Sequence, residues 1–476
     1  MNLLVIVSDT LRWDYLGCYG NDWIETPNLD RLAAESALFL DAFAEGLPTI
    51  PARRVLMTGR NIVPFAYRPQ ASDPVQLHGW HPLFDEDVTL AEHLREHDYV
   101  SAFFNDVYHM MKPGKNFHRG FDHWSWIRGQ EGDPWALRDP ARVRKELRRA
   151  AAGRPVDSRA WIIQHLVNRQ SWRSEADTLV AQTMRTAADW LRGYTLKNPF
   201  YMHVECFDPH EPWDPPLEYA RKYDPKITPA DILDGHIPPG HVSHMTRRQA
   251  RNCLTTYAGE VTLVDRWVGH LLDTLRETGH DRDTLVVFTS DHGCMLGEQG
   301  EIHKGQDRLR NQCTRLPLLI RHPKRKGAGQ RVKGFVQHQD IMPTALALMG
   351  LPAPTRCLGK SAWPLVEGKG KGRSHVVSAF GPYACLRTHK WNYVCPWTPL
   401  PKGWKPRVDL YDLAADPKEL ANVAADHPDV AGELAARLEA ELKKYAPLTS
   451  GTFQSLAKGA GHSFSFDALP RFDRRR

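Results

Sequence analysis

Apolar runs of five to eight residues recur along the chain, and most of them stop at a cluster of chemically able side chains. Residues 3–7, L-L-V-I-V, form a continuous β-branched stretch of the kind buried on both faces of a parallel sheet, and Ser8-Asp9-Thr10 ends it. Residues 99–104 and 199–206 repeat the pattern, delivering Asn105-Asp106-Val107-Tyr108-His109 and Phe207-Asp208-Pro209-His210-Glu211-Pro212. The clearest strand is T-L-V-V-F-T at 284–289, followed by Ser290-Asp291-His292-Gly293; a further one covers 316–321. Helical periodicity lies between them: L-D-R-L-A-A-E-S-A after Thr26-Pro27, then 88–97, 142–150, 174–191 and 247–279. Strands alternating with helices predict an α/β fold, whose ligands sit beyond the carboxyl ends of the strands.

Beyond residue 364 the pattern changes. G-K-G-K-G-R-S reads as a linker, and V-V-S-A-F, A-C-L-R-T and K-W-N-Y-V read as short strands before a helix at 430–445. The expected organisation is a catalytic unit at 1–370, a small α+β unit at 371–448 and a basic tail at 449–476. No internal repeat is found.

Composition changes this picture little. The 476 residues are 42% hydrophobic and 25% charged, ordinary for a globular chain. The excess of 62 basic over 56 acidic residues is +6, which suits an anionic substrate without demanding nucleic acid. No run is long enough to span a membrane. The start M-N-L-L-V-I-V lacks the features of a secretory leader, and the eight cysteines show no C-x-x-C pair, so a reducing cytoplasm is expected.

The stretch P-T-I-P-A-R-R-V-L-M-T-G-R at 48–60 carries two readings. One is a helix start with Thr49 as N-cap and Gly59 as terminator. The other adds chemistry: a helix N-terminus favours anions, and a hydroxyl there with Arg53 four residues on is a nucleophile facing a phosphate or sulfate ester. His210, between two prolines, is held on a rigid turn. Asp291-His292 at a strand exit suits a metal, with oxygen and imidazole side by side. His109 reads either as a substrate contact or as a plain loop histidine. The basic run R-V-R-K-E-L-R-R-A at 142–150 reads as a solvated face, an anion guide or a subunit contact.

Together these segments resemble the sulfatase branch of the alkaline phosphatase superfamily. The resemblance rests on the opening strand with its aspartate, T-P-N-L-D-R-L-A at 26–33, x-P-x-R with L-M-T-G-R at 56–60, and D-P-H-E-P at 208–212. T-S-D-H-G at 289–293, L-G-E at 296–298 and L-Y-D-L-x-x-D-P-x-E at 410–419 complete it. It implies a large, mostly parallel mixed sheet sandwiched by helices, with a small C-terminal α+β subdomain. It further implies that Asp9, Asp291 and His292 ligate one divalent metal, that position 49 supplies the nucleophile and that Arg53 holds it. Lys304 and His210 would contact the ester oxygens, and His109 would match the histidine of the family's G-K-W-H.

Three departures qualify the resemblance. Sulfatases mature a Cys or Ser of C/S-x-P-x-R into formylglycine, and Thr49 cannot yield that aldehyde, so no formylglycine is expected. Thr10 replaces the second of the family's paired aspartates, which moves the expected metal from calcium towards manganese or zinc. Val107 stands where the family has a lysine. The reading is therefore a hydrolase of a phosphate diester or phosphonate monoester working through Thr49, with two alternatives: a sulfatase without formylglycine, or an inactive relative that binds a sulfated or phosphorylated ligand. The expected substrate is an anionic small-molecule or saccharide ester; no nucleic acid or membrane partner is expected, and a homo-oligomer is possible.

Overall fold

A computed structural model describes residues 1–69, 75–112, 114–151, 159–236 and 240–452. Most of the tail expected at 449–476 thus lies outside the described residues. The centre is an eight-stranded sheet. Its strands are β1 (Asn2–Ser8), β2 (Ala37–Phe39), β4 (Val100–Asn105), β5 (His123–Trp126), β6 (Phe200–Cys206), β7 (Thr284–Ser290), β8 (Leu318–Arg321) and β9 (Arg331–Val332), where β3 denotes Gly46–Leu47 of a second sheet. The order is β9-β2-β8-β7-β1-β6-β4-β5.

Strand β1 lies parallel to both neighbours, and the three run in step: Ser8 pairs with Cys206 on one side and with Ser290 on the other. All residues of these strands are buried, as their unbroken apolar runs require. The common register has a direct consequence for chemistry. Asp9, Phe207 and Asp291 each leave the sheet one residue beyond its edge, at the same level. β8 runs antiparallel to β7, so the sheet is mixed.

Helices cover both faces. Leu179–Gly193 and the long Arg247–Glu277 pack against one, joining Leu4, Ile6, Phe288 and Val204 in an apolar cluster. On the other face the helix Thr49–Thr58 contributes Ile50, Leu56 and Met57 to the core around Leu3, Val5 and Val287. That helix is buried all round, so it is held by packing rather than by one amphipathic stripe. The Leu90–Arg95 helix is started by a capping box between Thr89 and Glu92, a device that contributes about 1 kcal/mol.

One reading needs correction. Thr49 is not a cap: the helix begins at Thr49 and Pro48 precedes it, so the Thr49 side chain lies in the first turn, free of the capping bond. The segment 212–236 folds into short helices at Leu217–Arg221, Pro229–Ile232 and Leu233–His236, because Pro216, Thr228 and Pro229 start new turns.

The second sheet is built from Asp409–Asp412, Trp391–Pro396, Tyr383–Thr388, His375–Phe380 and β3. Gly46 and Leu47 pair in parallel with Ala379 and Phe380, so the residues just before Pro48-Thr49 form the edge of the C-terminal sheet. Glu419, last residue of the L-Y-D-L-x-x-D-P-x-E run, is fully buried and accepts from Arg387, from Asn392 at 2.6 Å and from the Asn311 backbone at 2.6 Å. This stitches the C-terminal sheet to the loop that follows Lys304.

Candidate active site

The site is assembled at the edge where β1, β6 and β7 end together. Asp9 and His292 are fully buried and Asp291 is nearly so; their ligand atoms lie within 4.8 Å of one another. Arg53 reaches this edge from one turn into the Thr49–Thr58 helix. Its Nε donates to Glu205 at 2.7 Å, its Nη1 pairs with Asp291, and its Nη2 lies 3.1 Å from Asp9. Residues four apart share a helix face, so Thr49, itself 2% exposed, lies on the same face as Arg53.

Thr10 occupies the place of a second aspartate in a different manner. Its backbone N–H donates to Asp291 at 2.9 Å, and its hydroxyl donates to Asp9 at 2.7 Å. It does so with φ at 60°, a conformation in which a β-branched residue is an outlier and which costs about 1–3 kcal/mol. At Gly293 a Cβ would come within 2.1 Å of the Gln312 carbonyl, so only glycine lets the loop after His292 pack.

The charges do not balance. Asp9, Asp291 and Glu205 face one guanidinium, which leaves two formal negative charges buried. Burial disfavours ionised carboxyls, yet Arg53 beside Asp291 and Glu205 holds both below the usual carboxylate range. Burial also lowers the His292 pKa, which keeps that ring neutral. Its Nδ1 faces the Gly293 carbonyl at 3.0 Å, so Nδ1 carries the proton and Nε2 presents its lone pair. His292 Nε2 is buried without a hydrogen-bond partner, and Asp9 Oδ2 has only its ion pair with Arg53. An orphaned imidazole acceptor, a carboxylate pair and an uncompensated double charge fit a divalent cation held by Asp9, Asp291 and His292.

A second group of side chains lies on the loops around this cluster. Lys304 Nζ is 2.6 Å from His210 Nε2 and 3.1 and 3.2 Å from the two Glu211 oxygens. His210 Nδ1 faces the Glu211 carbonyl at 2.6 Å and so carries the proton there, which makes Nε2 the acceptor of a Lys304 hydrogen. Burial works against the Lys304 ammonium, but Glu211 and then Asp9 outweigh it and raise its pKa. His303, at φ 62° and packed on Trp213, lies 3.5 Å from Glu211; burial pushes its pKa down to about 4. His109 pairs with Glu131 at 3.1 Å, and Glu131 is 3.9 Å from His210, so His109 joins the group through that carboxylate. Phe207 packs between the His109 and His210 rings.

All eight residues expected from the sequence thus fall at one end of the sheet, in two adjoining groups. Three carboxylates that bind these groups together were not singled out from the sequence: Glu205, Glu211 and Glu131. Glu205 had a signal. Tyr201, His203 and Glu205 alternate along an otherwise apolar strand, and they form a hydrogen-bonded line of 2.8 and 2.8 Å that ends on Arg53. Glu131 had none, since it comes from a loop whose contact with His109 only the fold creates.

The profile of the sulfatase family matches residues 1–351, and that of the N-sulphoglucosamine sulphohydrolase C-terminal region matches residues 300–446. Iduronate 2-sulfatase of Mus musculus is 27% identical over 420 residues, covering 75% of this chain and 70% of its own length. The phosphonate monoester hydrolase of Agrobacterium radiobacter superposes with a TM-score of 0.70 at 23% identity, over 93% of this chain and 95% of that one. A protein solved in complex with its substrate D-glucosamine-2-N,6-O-disulfate superposes with a TM-score of 0.68 at 19% identity, over 94% and 98%. These structural matches establish the fold.

Proposed function

The chain belongs to the sulfatase family, and from that premise we propose that it is a metal-dependent hydrolase of an anionic ester that uses Thr49 as its nucleophile. The observation that carries the reading is the buried cluster of Asp9, Asp291, His292 and Arg53, with Thr49 one helical turn before Arg53 and His292 Nε2 left without a partner. A divalent ion bound there supplies a Lewis acid and lowers the pKa of a hydroxyl it touches. Nitrogen from His292 and the loss of one carboxylate at Thr10 favour manganese or zinc over calcium.

The residues then divide the work. Thr49 Oγ, its proton lost to bulk water, bonds to phosphorus as the bond to the leaving alkoxide breaks. Lys304, at full charge, faces the oxygens on which negative charge grows. The leaving alkoxide takes its proton from the Lys304–His210 pair, where the hydrogen lies between Nζ and Nε2. Water then bonds to phosphorus as the P–Oγ bond breaks, one water proton passes to Oγ, and the Lys304–His210 pair regains its proton from solvent.

Phosphoryl chemistry is favoured over sulfuryl because of Thr49 itself. A sulfated formylglycine hydrate expels sulfate by collapsing to the aldehyde, and a sulfated threonine has no such exit. A phosphate diester or phosphonate monoester is therefore the proposed substrate class. The sulfate-ester reading is kept alive by the sulfatases among the relatives, and an anionic saccharide ester fits either case. A panel of nitrophenyl sulfate, nitrophenyl phosphate, bis-nitrophenyl phosphate and nitrophenyl phenylphosphonate decides: preference for the diester or phosphonate supports the proposal, and preference for the sulfate sinks it. No turnover of any member in the metal-loaded chain favours a binding role.

A further inference from the structure

A second constellation lies behind His210, on elements that the reaction above does not use. His165 on the helix Ala160–Arg169, Asp214 on the turn after Pro212, and His236 at the end of the Leu233–His236 turn converge on one point. His165 Nε2 is 3.0 Å and His236 Nε2 2.8 Å from the same Asp214 oxygen, and the two rings stand perpendicular. All three residues are buried, at 7%, 7% and 2% exposure.

Two further observations point the same way. His165 and Asp214 line a small cavity of about 20 Å³ together with His210, Glu131 and Glu260. Glu260, 3% exposed, accepts the Asp214 backbone N–H at 2.6 Å with one carboxylate oxygen, while its Oε2 is buried with no hydrogen-bond partner. A buried carboxylate oxygen left without a donor is unfavourable, and a cation beside it relieves that cost. Arg169 is the competing cation. It reaches the same Asp214 oxygen, but its Nη2 is also anchored on the Asp214 carbonyl at 2.8 Å and its face rests on Trp172. An ion bound at this oxygen therefore has to displace the Nη1 contact, while the Asp214 carbonyl and Trp172 keep the guanidinium anchored.

We propose that His165, Asp214 and His236 form a second metal site, distinct from Asp9, Asp291 and His292, which binds a zinc-class transition ion. Two imidazoles and one carboxylate are the donor set of such ions, whereas calcium and magnesium call for oxygen alone. Glu260 and His210, the histidine that serves the leaving group, line the same cavity as His165 and Asp214. The inference does not depend on which ester the enzyme cleaves.

Chelator-stripped full-length chain, titrated with zinc, desalted and analysed for metal, tests it. The expected content is about two equivalents in the wild type and about one in each of Asp291→Asn/His292→Asn and His165→Gln/His236→Gln. Cobalt added to the Asp291→Asn/His292→Asn chain should give a visible ligand-field band that adding His165→Gln abolishes; this arm leaves the second constellation whole, so misfolding there is not a confounder. Zinc that disappears entirely from Asp291→Asn/His292→Asn overturns the proposal, as does a wild-type content unchanged by His165→Gln/His236→Gln. Zinc lost only from His165→Gln/His236→Gln would uphold this site and instead remove the metal from the catalytic reading.

Discussion

The two adjoining halves of the site are fixed by different means. Asp9, Asp291 and Glu205 stand in or one residue beyond three strands whose register is set by the sheet, and Arg53 comes from a helix buried on every side. Their positions are dictated by the core. His210 and Lys304 stand on loops, His109 on a single helical turn and His303 at the end of a three-residue strand, and carboxylates tie them together: Glu211 for Lys304 and His303, Glu131 for His109. The first half resists change because moving it would break the sheet. The second is held by charge, and removing a single carboxylate should loosen it without unfolding the chain.

The strongest test of that contrast separates activity from stability within the core-held half. Thr49→Ala should lower kcat by roughly three orders of magnitude or more, as loss of a nucleophile does. It should leave the urea midpoint nearly unchanged, because Thr49 makes no capping bond. Near-normal turnover in the variant would mean that water attacks the ester directly.

Arg53→Leu should fail in the opposite manner. Three nitrogens of this guanidinium serve Glu205, Asp291 and Asp9, and removing it strands buried carboxylates at a cost of about 3–5 kcal/mol. Chemical denaturation measures this directly. Excess divalent metal should restore part of the lost stability, since it neutralises the same carboxylates; a variant as stable as the wild type without metal would show that the carboxylates are not ionised.

Lys304→Ala probes the loop-held half. Here kcat should fall by roughly 10²–10³, the usual effect of removing one charge-stabilising donor, while stability changes little. Proton inventory adds a sharper readout: the pH–rate profile on its alkaline side should change, because the Lys304–His210 pair no longer holds the shared hydrogen. An unchanged profile would assign the proton to another group.

How much of this contrast the sequence revealed follows the same division. The unbroken apolar runs at 3–7 and 284–289 name their own strands, and Asp9, Asp291 and His292 follow at once, so the core-held half was legible. The alternation of His203 and Glu205 was present but hidden in a run that reads as purely apolar. The start of the helix was misplaced by one residue, since Pro48 and Thr49 both suit the position before a helix and only the backbone chooses. Glu131 was invisible, because its partner His109 lies on a separate segment and nothing local couples them. The short strand Gly46–Leu47 was likewise unreadable; two residues carry no period, and their partner is Ala379-Phe380, more than three hundred positions away.

Glu211→Gln has the smallest expected effect and separates the two halves most finely. Glu211 is surrounded by His210, Lys304 and His303, and although burial opposes its ionisation these groups hold its pKa far below the ordinary value. A carboxyl whose folded pKa is depressed stabilises the chain fully above its unfolded value of about 4.3 and loses that contribution as pH falls towards the folded value. Glu211→Gln should therefore be less stable than the wild type at pH 7, by about 1–3 kcal/mol for a lost charge-assisted contact. The difference should shrink as pH drops below about 4, where the wild type loses the same contribution. Activity should fall by an amount smaller than for Lys304→Ala, because the ammonium remains but is less firmly aimed. Urea midpoints at pH 7, 5 and 3 with kcat at pH 7 check both parts. A stability gap that stays constant from pH 7 to pH 3 would mean that Glu211 acts through its shape and not its charge, and the loop-held half would then be fixed by packing in the same way as the strand ends.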